Sequence, residues 1–357
     1  MASSTAAENA FRIAGGDNEQ AYKVEEFYPA PFPDDVPTIQ LERISLSKLL
    51  NGDNLEANRV FDICTSTGFF YLDMLDHPTG RQLWQNVCKV CHRDRERLVN
   101  TPTEEKLKYK PLGGVRVFDR GYLLRTADQA GESDLREILN TLSGGNKVAC
   151  TILGILEKQI GLPAGSFTKL HRLYDDSGDF IRVLRYPGTS KPYDAAKEGP
   201  DGFPAHKDAL SIAILFTWLG GLQIPDPSAE VVGLAVKPED WRWVRPEPGC
   251  AVVNLGDAME IFTQKVLKSG IHRVVKAPGA QRPHDRMSVL IATRPENNAL
   301  MKPIQKLNHT DENEQKQQNG ENPVMTSLEW GNSIVRGIQK RVQEEAKARG
   351  TSILANG

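Results

Sequence analysis

Hydrophobic positions change their rhythm about halfway along the chain. In the first half they recur at helical spacing. Leu55, Val60, Ile63 and Cys64 share one face of a helix predicted over 54–66, and a longer amphipathic helix is predicted over 80–98. A short strand at Thr38-Ile-Gln-Leu and a helix near 45–50 precede them, and the aromatic run Phe69-Phe70-Tyr71-Leu72, after Gly68, predicts a strand. Thr101-Pro-Thr-Glu has the cap, first-turn Pro and acid of another helix start. Residues 110–135 mix glycines and charges without a period, which predicts a long loop of the kind that serves as a lid. A helix over 148–160 ends at Gly161-Leu-Pro. Residues 1–36 read as an irregular lead-in, and 37–170 as a mostly helical region.

In the second half the apolar residues fall into short runs. Strands are predicted at 181–186, 209–216, 221–224, 231–236, 241–244, 250–255, 271–275 and 286–293, with Pro- and Gly-rich turns between them. Many short strands at such spacing predict a sandwich or barrel over 171–305, so the chain is mainly β with flanking α. Residues 308–322 are polar and predict a solvated linker, and 327–348 form a closing helix with Leu328, Ile334 and Ile338 at helical spacing. Linker and helix make up a tail over 306–357.

Composition narrows the class. The 357 residues are 39% hydrophobic and 25% charged, and 44 Lys and Arg against 46 Asp and Glu leave a formal charge of -2. Without a dense basic run, no nucleic-acid partner is expected. No apolar stretch is long enough to cross a bilayer, and the start lacks a secretory pattern, so no membrane partner is expected and the location is read as cytoplasmic. The five scattered cysteines are not a disulfide framework and fit a reducing compartment. The chain is expected to act as a monomer or homodimer on a small-molecule substrate.

Candidate chemistry sits in the β-rich half. His206-Lys-Asp208 lies just before a β run, and on a strand residues i and i+2 share a face, with Lys207 turned away. Alone, the pair reads equally as a strand-edge His and a turn-forming Asp. His272, in Ser269-Gly-Ile-His272-Arg-Val-Val on a separate strand, changes the picture, because two His and one carboxylate form a three-point metal face with open positions. Such a set serves Fe(II) and also Zn. Arg286-Met-Ser288 repeats the i, i+2 spacing. A guanidinium inside a barrel is costly to bury, which a ligand carboxylate would repair, as would pairing with Asp285. Cys88-Lys-Val-Cys91-His92 has no second Cys pair, and the glycine pairs at Gly113, Gly144 and Gly220 lack nucleotide-binding spacing. Trp241 and Trp243 read as sheet packing and His284 as a solvated turn.

In order, His206-Lys-Asp208, Gly220-Gly-Leu-Gln-Ile224, Pro248-Gly-Cys-Ala-Val-Val-Asn-Leu-Gly-Asp257, His272-Arg-Val-Val and Arg286-Met-Ser288 resemble the Fe(II)/2-oxoglutarate-dependent dioxygenases. The branch resembled is the isopenicillin N synthase type of plant and fungal natural-product oxygenases, and Thr67-Gly-Phe-Phe-Tyr71 resembles the start of its N-terminal region. The likeness runs from about residue 37 to 295. It implies a double-stranded β-helix (jelly-roll) core preceded by a mostly helical N-terminal region. It implies Fe(II) on His206, Asp208 and His272, O2 as cosubstrate, and the distal carboxylate of 2-oxoglutarate on Arg286 and Ser288 with help from Tyr186. Leu184 departs from the Asn usual in plant members, and Asp73-Met-Leu-Asp-His77 replaces an Asn-His-Gly turn, which makes His77 structural. Ile212 and Ile214 are expected to keep the site dry. Three activities remain open. The first is a 2-oxoglutarate-dependent oxygenase that hydroxylates, desaturates or rearranges a small molecule in secondary metabolism. The others are an oxidase of the same fold that does not use 2-oxoglutarate, and a non-catalytic binding barrel.

Overall fold

In the computed structural model, residues 24–100, 121–122, 132–191, 203–304 and 324–348 are described. The helix expected at Thr101, nearly all of the loop expected over 110–135, and the linker expected over 308–322 lie outside them.

Local chemistry sets the helix starts. After α1 (Val24–Phe27), β1 (Thr38–Ile39) and β2 (Arg43–Ser45), the Ser45 hydroxyl accepts the Lys48 N–H at 3.1 Å and opens α2 (Leu46–Leu50). Asp53 caps α3 (Asn54–Ser66) by accepting the Glu56 N–H at 3.0 Å. Then comes β3 (Phe69–Asp73). His77 starts α4 (Pro78–Asn100): its Nδ1 accepts the Thr79 N–H at 3.1 Å and Pro78 fills the first turn, a structural role.

β4 (Gly121–Tyr122) precedes α5 (Glu132–Ile160), which begins well before the residue 148 expected from the sequence. The Gly144-Gly145 pair, which interrupts the apolar pattern, lies inside the helix. A Cβ on Gly144 would stand 3.1 Å from the Leu83 side chain, and one on Gly145 2.5 Å from that of Ile291. The pair lets α5 press against α4 and the sheet beneath.

The strands that follow are β5 (Phe180–Tyr186), β6 (Phe203–His206), β7 (Ile212–Thr217), β8 (Leu222–Pro225), β9 (Trp241–Val244), β10 (Cys250–Leu255), β11 (His272–Val274) and β12 (Arg286–Thr293). Between β10 and β11 lies the short helix α6 (Asp257–Phe262), and α7 (Ser327–Ala348) closes the described chain. Two sheets form, β2-β3-β10-β7-β12-β5-β4 and β1-β9-β8-β11-β6. The strands from β5 to β12 divide evenly between them in the double-stranded β-helix, or jelly-roll, arrangement.

Two sequence expectations give way here, and two short elements appear that the pattern does not signal. No strand forms over 231–236: Gly233 at φ +63° folds Val232 back onto Ala235 in a tight turn, and Val232 is exposed. β6 was not anticipated, and it ends at His206, so Asp208 stands in the loop before β7 rather than two residues along a strand. α6 was not anticipated either.

Ile212 and Ile214 do not face the site. In the larger sheet they share a face with Phe70, Val253 and Val289, covered by α3, α4 and α5 in the main apolar core. The strand is apolar on both faces, so pattern alone does not say which way each residue points. The opposite face, turned to the smaller sheet, carries Ala213 and Leu215 on β7, Asn254 on β10 and Arg286 and Ser288 on β12. Trp241 and Trp243 are buried in the smaller sheet, with the Arg273 guanidinium 4.3 Å over the Trp241 ring. Trp330 docks α7 onto the core.

The five cysteines are unpaired and all but Cys150 are buried. Burial pushes every thiol up, that of Cys150 to about 11 and that of Cys250 to about 12. No helix among the described residues is long and apolar enough to cross a membrane.

Candidate metal centre

β6 and β11 pair antiparallel with His206 directly opposite His272, which brings the two imidazoles to 4.1 Å between ring centres. The loop after β6 turns Asp208 back beneath them. Its Oδ1 lies 3.5 Å from His206 Nε2 and its Oδ2 3.7 Å from His272 Nε2. The three ligand atoms stand within 4.8 Å of one another, the only such group among the described residues.

The other nitrogen of each ring is spoken for. His206 Nδ1 donates to the Pro204 carbonyl at 2.8 Å and His272 Nδ1 to the Gly270 carbonyl at 3.3 Å, so both Nε2 lone pairs face Asp208. Phe203 packs on the His206 ring at 4.3 Å and Phe69 edges the His272 ring at 5.7 Å. Burial, then the neighbouring His206, push the His272 imidazole down to about 4, against the pull of Asp208. Burial alone would raise the Asp208 carboxyl, but His272, His206 and the Asn254 amide outweigh it and hold it well below the carboxylate range. A neutral His272 imidazole beside an ionised Asp208 carboxylate suits a metal ion.

Asn254 on β10 donates from Nδ2 to Asp208 Oδ2 at 2.9 Å and fixes the carboxylate. Sequence reasoning had no role for it, though it lies in the quoted 248–257 run. The same run supplies Gly256, where a Cβ would fall 2.2 Å from the Leu210 carbonyl and 2.6 Å from that of Asp208. Asp257 N–H then donates to the Asp208 carbonyl at 2.8 Å. Glu260 on α6 joins the two ligand loops: it accepts from Lys207 Nζ at 2.9 Å and from the Ser269 N–H at 2.9 Å. Lys207 therefore does point away from the ligands. Beneath the loop, His171 is buried between the Phe167 carbonyl (Nδ1, 2.7 Å) and the Ser211 hydroxyl (Nε2, 2.7 Å).

Farther along the same inner face stands Arg286. Its alternative partner, Asp285, is taken: Arg185 Nε donates to it at 2.7 Å and the Gly188 N–H at 3.0 Å. Arg286 is 2% exposed, and among the described residues Nη1 reaches only the Ser288 hydroxyl at 3.4 Å, while Nε and Nη2 have no partner. Burial lowers its pKa and only Tyr186, whose ring lies 5.4 Å from its Cζ, raises it in return. Gly221, at φ +133°, clears its path, since a Cβ there would stand 2.9 Å from Arg286 Cδ. An orphaned, walled-in fork of donors fits a ligand carboxylate. Tyr186 and Ser288 line the same spot, opposite Arg286 and one inner-face position along.

Comparison with known proteins gives the family. Residues 178–295 match the family model of the 2OG-Fe(II) oxygenase superfamily. A 2-oxoglutarate-dependent dioxygenase of Aspergillus fumigatus is 40% identical over 322 residues, 79% of this chain and 82% of that protein. A 1-aminocyclopropane-1-carboxylate oxidase of Diospyros kaki is 27% identical over 287 residues, 75% of this chain and 81% of the oxidase. Among solved structures, a full-length Neurospora crassa protein in complex with alpha-KG and 5-formyluracil superposes with a TM-score of 0.64 at 19% identity, covering 86% of this chain and 97% of that one. The chain belongs to the 2OG-Fe(II) oxygenase superfamily and is a 2-oxoglutarate-dependent dioxygenase, an oxidoreductase that uses Fe(II) and O2.

Proposed function

We propose that His206, Asp208 and His272 hold the Fe(II), and that Arg286, Ser288 and Tyr186 hold the far carboxylate of 2-oxoglutarate. The enzyme then hydroxylates, desaturates or rearranges a small organic molecule in secondary metabolism. The observation that carries the reading is the buried, partnerless Arg286 fork on the same interior face as an open three-ligand cluster.

Bound Fe(II) supplies the oxygen chemistry, coupled to decarboxylation of 2-oxoglutarate. The protein's share is positioning. The two Nδ1–carbonyl bonds fix the imidazole tautomers, and Asn254 fixes the carboxylate. Arg286 sets the depth at which a keto acid can sit, so that its near end meets the metal side of the cavity. Phe69 and Phe203 flank the imidazoles and keep water from their edges. The fungal relatives named as 2-oxoglutarate-dependent dioxygenases support the secondary-metabolic setting.

The test is visible absorption under argon on adding Fe(II) and then 2-oxoglutarate. A weak charge-transfer band that needs both, and that vanishes in His272→Ala, is the expected result. Tight Fe(II) binding without a band would overturn the cosubstrate assignment, and no iron binding would overturn the ligand set.

A further inference from the structure

Arg182 is a second guanidinium on the inner face, and the iron and 2-oxoglutarate sites leave it unused. It stands opposite Leu290 on β12, four residues along β5 from Tyr186, and the register puts it on the face that carries Leu215 and Asn254. It is half-buried, on the interior face that also carries the metal cluster and Arg286. The Phe180 ring lies 4.6 Å from its Cζ, and no described carboxylate forms an ion pair with it. Other arginines of the fold have acids at hand: Arg185 has Asp285 at 2.7 Å and Arg172 has Glu296 at 2.6 Å. Burial lowers the Arg182 pKa, and only Tyr186 and Asp208 pull it back. Asp208 is already engaged with two imidazoles and Asn254.

The charge balance then points outward. With the Proposed function in place, a divalent iron and two guanidiniums face one aspartate and one doubly charged keto acid. The keto acid places one end on the metal and the other on Arg286. One positive charge is left over, in a cavity where unpaired charge is costly. We propose that Arg182 seats the carboxylate of the primary substrate, which makes that substrate an organic monoacid. This rests on the iron and cosubstrate reading above. A phosphate monoester, carrying two charges, would overshoot the balance. The planar fork suits a carboxylate, and the Phe180 ring on its face holds it in place.

The test loads the full chain with Fe(II) and 2-oxoglutarate under argon. It then offers a pool of aliphatic and aromatic monocarboxylic acids mixed with their matched primary amides, read by ultrafiltration and mass spectrometry. Retained acids are expected to exceed their amides by roughly tenfold or more, the scale of a charge-assisted pair. The preference should fall to about unity in R182Q and persist in R182K. Should R182Q not fold, R182M, which keeps the apolar shaft, takes its place. Equal retention of acids and amides, or no acid retained, overturns the proposal. So does an R182Q or R182M that loses the Fe(II)–2-oxoglutarate band, because Arg182 would then serve the cosubstrate. Absence of that band in the unmodified protein counts instead against the Proposed function.

Discussion

At one end of the inner face the polar groups are held by their neighbours, and at the other a charge is left over. Asp208 has two imidazoles and the Asn254 amide around it, and its loop is tied through Lys207 and Glu260 to the loop of His272. Arg286 has a hydroxyl at 3.4 Å and two empty donors. The first arrangement keeps its shape without help, which is what a metal site needs before the metal arrives. The second holds an unpaired charge until a ligand closes it, which makes the ligand's charge a condition of binding. A protein that wanted only stability would have filled both ends alike.

His272→Ala should break the paired end outright. Removing one of three protein ligands is expected to weaken Fe(II) binding by more than about 100-fold, beyond the range for supporting groups, as read by metal titration. Arg286→Ala should break only the other end. The 2-oxoglutarate concentration needed for half-maximal band intensity should rise roughly 10- to 100-fold, since one charge-assisted pair is lost, while Fe(II) affinity stays put. A matched loss of both in either variant would erase the contrast between the two ends. Asn254→Ala sharpens it: the carboxylate loses its orienting donor, and metal affinity should fall by about tenfold with the 2-oxoglutarate requirement little changed.

A separate effect concerns stability rather than binding. Burial holds His171 at about 4, below its ordinary 6.5, so the folded state resists its protonation. Its contribution is therefore full above pH 6.5 and is lost as pH falls through 4. Asp179, raised by burial to about 6, has the opposite sign and costs stability as pH rises from about 4 to 6. In His171→Gln the loss of urea stability between pH 7 and 4 should shrink by on the order of 3 kcal/mol, and Asp179→Asn should steepen it. Identical slopes in all three proteins would sink the assignment.

Much of the fold was legible because period and turn chemistry agree. β9, β10 and β12 begin and end where the pattern put them, as do α3 and α7. The misses have common causes. β6 is short and holds Pro204, so it carries no β signal of its own. Gly144-Gly145 looks like punctuation but is a close-packing device. The strand rule does not place Asp208, because the loop geometry set by Gly256 and α6 brings it to the histidines. Residue type announced His206, Asp208, His272 and Arg286. Their support came from Asn254, Glu260 and His171, which show no signal until β10, α6 and the 167–171 turn are placed in space.

The raised thiol pKa values carry a consequence for handling the enzyme. Reduced iron and oxygen together make a corrosive mixture, and thiolates are the side chains it attacks first. With their pKa values lifted to about 11 and above, the Cys150 and Cys250 thiols hold roughly one thiolate in ten thousand or fewer at neutral pH. Attack through the thiolate is therefore disfavoured at these two residues, and inactivation by iron and air is expected to begin elsewhere, in the ligands themselves.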